Sequence, residues 1–249
     1  MRALRAQLAM EFRLVTRRGE NLLVTLGIPL LLLVFLAKVD LIPAASGALG
    51  LEQLVPGILC LALISTGLVS LGIATAFERG NGTLKRLASS PLPRWALLTA
   101  KTGAVVATVV VQVVVLGAVG VVLGWTPSGG PVPALVAAAP WLVLGTVCSA
   151  AGGLLLAGLL RPEATLAVAN ALYLVILLLG GVIIPLAQLP GAFATIAGAL
   201  PPALMADLVR GALVPGDTVQ PVEVLALAAW TVILGAATMA TFRSADTGA

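Results

Sequence analysis

Six stretches of this 249-residue chain run long and apolar with no charged side chain near their middle, and this pattern restricts the fold more than any motif does. They cover residues 22–37, 54–77, 102–124, 134–160, 164–184 and 222–242. A helix crosses the hydrocarbon core of a bilayer with about 20 apolar residues, and about 17 suffice where flanking side chains snorkel. The chain is 60% hydrophobic and 10% charged, whereas a soluble domain carries about 25% charged residues. In lipid every backbone polar group must be satisfied internally, which leaves helices or a closed barrel. Aromatic residues make up only 4% of the chain, against 27 glycines, so close helix packing is favoured over a barrel with aromatic girdles. The expectation is an all-α membrane protein of six transmembrane helices.

Basic residues set the orientation. With the N-terminus cytoplasmic, the inner segments hold Arg2, Arg5, Arg13, Arg17, Arg18, Arg79, Lys85, Arg86, Arg94, Lys101, Arg161 and Arg243. Only Lys38 and Arg210 then lie outside, and both termini are expected in the cytoplasm. Residues 1–20 read as an N-terminal amphipathic interfacial helix, with Leu4, Leu8, Phe12 and Val15 on one side and arginines largely opposite. Residues 21–249 form the single six-helix domain. The apolar window at 191–213 is interrupted by Pro201-Pro202 and carries Asp207 and Arg210, so it reads as two short outer re-entrant helices between the fifth and sixth spans.

Several chemistries are disfavoured. Histidine is absent, and no Cys, Asp or Glu cluster has metal-ligand spacing. Cys60 and Cys148 sit inside apolar runs and read as packing residues. No GxxxxGK[ST] loop occurs, so the chain is not expected to bind ATP by that route. A net charge of +4 describes an inner membrane face and is not read as a nucleic-acid patch. A secondary transporter or channel, or a membrane-embedded lipid-modifying enzyme, are the alternatives. The first lacks an intramembrane charge and the second lacks a catalytic constellation.

The longest water-compatible stretch is FERGNGTLKRLASSPLPRWALLTAK, residues 77–101. Gly80-Asn81-Gly82 is turn chemistry, Thr83 can cap a short helix through residues 84–88, and Ser89-Ser90-Pro91 ends it. Leu84 and Leu87 share a face of that turn while Lys85 and Arg86 point elsewhere. A basic loop between two spans is, by itself, only a topology signal.

The arrangement nonetheless resembles the membrane subunits of type-2 ATP-binding cassette exporters, through Glu78-Arg79, Gly82-Thr83-Leu84, Leu87, Ser90-Pro91 and Lys101. The resemblance implies a cytoplasmic coupling helix between spans two and three, with Glu78, Arg79, Thr83, Leu84, Lys85, Arg86 and Leu87 as ATPase-coupling residues. It also implies a hinge in which Glu78 has Arg79, Lys101 and Arg161 as neighbours. The implied partners are two copies of a cytosolic ATPase carrying ATP and Mg, and a second permease, identical or homologous, in a bacterial cytoplasmic membrane. Gly80 and Lys85 depart from the family, which commonly has an acidic residue at the first position and often one at the second.

Polar residues within the spans are mild: Ser65, Thr66 and Ser70 in the second, Gln112 in the third, Asn170 and Tyr173 in the fifth. By resemblance, spans two and five of the paired subunits line the export path. That makes Ser65, Thr66, Ser70, Asn170 and Tyr173 candidate path residues, although such groups also tie neighbouring helices together at about 0.6 kcal/mol each. A path of this kind suits a drug, an antibiotic or a lipid. Gly180, Gly181 and Pro185 loosen the fifth span where an outer gate would lie.

Overall fold

The computed structural model describes residues 19–38, 50–82, 94–127, 129–183, 186 and 191–244, among which all regular structure is helical. The interfacial helix expected at 1–20, apart from its last two residues, the coupling residues Thr83, Leu84, Lys85, Arg86 and Leu87, and Pro185 of the expected gate lie outside the described residues.

Eight helices are described: α1 (Gly19–Lys38), α2 (Leu51–Gly80), α3 (Arg94–Val122), α4 (Pro131–Leu159), α5 (Pro162–Leu179), α6 (Gly191–Gly198), α7 (Pro201–Leu213) and α8 (Pro221–Ser244). Five of them, α2, α3, α4, α5 and α8, are long and apolar enough to cross a membrane, and a sixth crossing exists if α6 and α7 act as one span. The expected first span falls short of that test, because the apolar part described in α1 is Thr25–Lys38.

Breaks in the chain have local causes. α6 and α7 meet at 80°, with Leu200 extended (φ −91°, ψ 150°) ahead of Pro201, as a residue before proline prefers. Arg161 is likewise extended ahead of Pro162 at the α4–α5 turn. α5 stops at Leu179, short of residue 184 where its sequence pattern runs out. The physical reason is Gly181, whose φ of +70° is the left-handed conformation that closes a helix.

α2 lies at the centre, with every residue from Leu54 to Ile64 buried. Its middle, Ser65–Ser70, is a π-helical turn. Small residues bring that region onto α4: a Cβ on Gly72 would lie 2.9 Å from the Gly153 carbonyl, and one on Gly67 would lie 3.0 Å from the Ala150 nitrogen. Such close backbone approach replaces the hydrophobic drive that lipid cannot supply. α5 and α8 are by contrast largely exposed along their lengths, as helices facing lipid or a partner would be.

Candidate functional site

At one end of the bundle three helices converge on the last turn of α2. The Lys101 ammonium on α3, with its side chain only 3% exposed, meets the Glu78 carboxylate at 2.6 Å. Arg79 turns to the α4–α5 turn, donating from Nη1 to the Gly158 carbonyl and from Nη2 to that of Leu160 at 2.7 Å. Those oxygens end α4 and have no helical donor of their own to meet, so the guanidinium acts as a C-terminal cap with favourable dipole sense. Gly80 closes the arrangement, since a Cβ there would stand 2.8 Å from Cγ of Pro162. Glu78 therefore faces Lys101 alone among the neighbours the sequence suggested. Arg79 serves backbone carbonyls, and Arg161 is exposed at the start of α5.

Midway along the bundle the polar residues part company. Gln112 is 1% exposed and joins α1 to α2. Its Nε2 donates to the Thr25 carbonyl at 3.1 Å, and its Oε1 lies 3.0 Å from the Thr66 hydroxyl, which is also 3.0 Å from the Ala62 carbonyl. Pro29 explains the first contact. Lacking an N–H, it leaves the carbonyl four residues earlier without its helical donor, and that carbonyl belongs to Thr25. Thr66 thus points into the helix packing. Ser65 faces the other way, beside the buried Tyr173 hydroxyl of α5, outside hydrogen-bonding geometry. Ser70 is half-buried, and exposed Asn170 folds its amide back to the Leu166 carbonyl of its own helix at 2.8 Å. Of the candidate path residues, the fold brings Ser65 and Tyr173 together.

The opposite end carries a residue whose role the sequence reading missed. Arg210 on α7, expected at an outer surface, is 6% exposed. It donates from Nη1 to the Gly181 carbonyl at 2.9 Å and from Nη2 to that of Val182 at 2.6 Å, with Asp207 at 3.3 Å. A polar cleft of about 280 Å³ opens beside it, lined by Asp207, Asp217, Thr218, Gln220 and Glu223 among others. The available signal was Asp207 three residues before Arg210 on one helical face, together with a glycine pair that frees carbonyls.

A bundle with five or six apolar helices of spanning length, ion-paired and arginine-capped at its ends, is a multi-pass membrane protein. The chain belongs to the ABC-2 type transporter family, whose sequence model matches residues 2–214. No curated protein matches the sequence. Membership makes it an ABC-type permease, a transport subunit that is not itself catalytic, and implies an ATPase partner.

Proposed function

We propose that this chain is the membrane subunit of an ATP-driven exporter that moves a drug, an antibiotic or a lipid outward across a bacterial cytoplasmic membrane. It works as a dimer, with itself or a homologue, on two cytosolic ATPase subunits that carry ATP and Mg. Both termini and the loop between α2 and α3 lie on the cytoplasmic side, where the basic residues concentrate. The segment at 83–88 docks on the ATPase through Leu84 and Leu87, with Thr83, Lys85 and Arg86 around them.

The observation that carries this reading is the Glu78–Lys101 pair together with Arg79 on the Gly158 and Leu160 carbonyls. A loop that starts from this junction pulls on α2, α3 and the α4–α5 turn together. A short amphipathic segment rooted there is placed to convert closure of an ATPase into movement of whole helices. α5, exposed along most of its length and carrying Tyr173 against Ser65 of α2, supplies the wall of the path, with the partner subunit opposite. Leu84→Asp and Leu87→Asp test the docking. Each is expected to lower co-purification of the ATPase and its cargo-stimulated hydrolysis, and unchanged values in both variants would refute the assignment.

A further inference from the structure

We infer that Arg210 is a latch on the exit at the α5 end of the bundle, an inference that rests on the permease reading above. Residues 181–182 follow the left-handed break after α5, so their carbonyls have left the helical ladder. One guanidinium takes both of them, at 2.9 and 2.6 Å. On the other side Val182 is fully buried, and its carbonyl occupies the place that a side chain on Gly57 of α2 would need. This short piece of chain is thus wedged between α2 and α7 where the proposed path would end.

A static brace would be expected to satisfy every donor of Arg210, and the geometry differs: Asp207 pairs with it, yet its buried Nε meets no acceptor. The short bonds go to neutral carbonyls, while the carboxylate of Asp207 stands at 3.3 Å from Nη1, the same nitrogen that serves Gly181. Asp207 is one helical turn away on α7 itself, so it stays within reach if 181–182 moves off. The cation then keeps the charged acceptor it already touches, and the released carbonyls take donors from water, the cleft beside α7 offering only the Thr218 hydroxyl and the Gln220 amide as neutral side-chain donors. The observed arrangement leaves the buried Nε of Arg210 unmet, and a closer pairing with Asp207 offers that nitrogen an acceptor, so each arrangement holds something the other lacks, as a two-state element requires. Lysine cannot substitute, because a single ammonium does not reproduce the two-pronged planar donor.

Withdrawal of 181–182 uncovers the face of α2 that carries Gly57 and, one turn on, Cys60. Cys60 is fully buried, with Sγ 3.9 Å from the Met205 carbonyl of α7. The only other cysteine, Cys148, is buried on α4. The two native thiols therefore serve as reporter and control. The full-length protein in lipid nanodiscs, which leave both faces open, is treated with a hydrophilic maleimide and the sites are quantified by mass spectrometry. Arg210→Lys and Arg210→Gln are expected to label Cys60 on the order of tenfold faster, the loss of charged hydrogen bonds expressed as a population. Cys148 stays protected, and Asp207→Asn labels Cys60 no faster than the native protein.

Unchanged Cys60 labelling in both Arg210 variants would overturn the latch. So would an equal gain at Cys148, which would make Arg210 a brace of the whole fold, or a gain in Asp207→Asn, which would make the cluster a simple salt-bridged support. Neither ATPase nor cargo enters the assay, so its failure is distinguishable from failure of ATPase co-purification.

Discussion

Gln112 on α3 supplies the Thr25 carbonyl of α1 with the hydrogen bond that Pro29 withholds, at 3.1 Å. A side-chain amide thus repairs a break in another helix's backbone ladder. Gln112→Leu should lower the unfolding temperature of the purified protein by the equivalent of about 1–3 kcal/mol, the cost of a buried polar group left unmet. Pro29→Ala in the same background returns an N–H to the ladder and should recover most of that loss. Absence of recovery would show that the contact does not arise from the proline.

A Cβ on Gly80 would press on the stiff ring of Pro162 at 2.8 Å. Gly80→Asp is therefore expected to destabilise by about 1–3 kcal/mol. Pro162→Ala should relieve part of the penalty. Thermal unfolding of the two single variants and the double variant measures the coupling.

The Glu78–Lys101 pair is buried more deeply on the lysine side, 3% against 21% exposure. Glu78→Gln, which removes the charge facing a nearly dry ammonium, should cost more stability than Lys101→Met, on the order of 3 kcal/mol against less. The double variant Glu78→Gln/Lys101→Met should recover part of the loss. Denaturation of all three in one detergent decides the ordering.

Gly153 faces the backbone of the π-helical turn, where a Cβ would lie 2.6 Å from the Leu68 carbonyl. Backbone cannot rotate aside as a side chain can, so Gly153→Ala should force α2 and α4 apart and cost about 1–3 kcal/mol. Gly235→Ala, at a position with nothing within 4 Å, is the matched control and should leave the unfolding temperature unchanged or slightly raised.

Much of the architecture was legible in the sequence because it follows from local rules. Apolar length marked the helices, Pro201 marked the bend between α6 and α7, and Gly180-Gly181 marked trouble at the end of α5. The consequence of that last signal was not legible. Two glycines suggest a loosened helix, whereas the chain stops the helix and hands the freed carbonyls to Arg210, a residue 28 positions further on. Composition placed Arg210 at a surface because a charged side chain usually belongs there, and only the fold shows the carbonyls that make its burial tolerable.

The facing of Thr66 was hidden for a different reason. The π turn at Ser65–Ser70 shifts the register of α2, and no residue type announces such an insertion. Adjacent hydroxyls at 65 and 66 part, as neighbours on any helix do, and the shifted register decides that one turns toward Tyr173 and the other toward Gln112. Asn170, a candidate path residue by resemblance, spends its amide on the Leu166 carbonyl of its own helix.

We propose that the junction of α2, α3 and the α4–α5 turn couples ATP hydrolysis by the partner to movement of cargo along the path. The most direct measurement is ATP-dependent accumulation of a fluorescent amphiphile in inside-out vesicles holding the permease with its ATPase, native against Lys101→Met. Accumulation in the native vesicles, and its loss in the variant with the ATPase still bound, is the predicted result. Equal accumulation in both, or accumulation that does not require ATP, would contradict it.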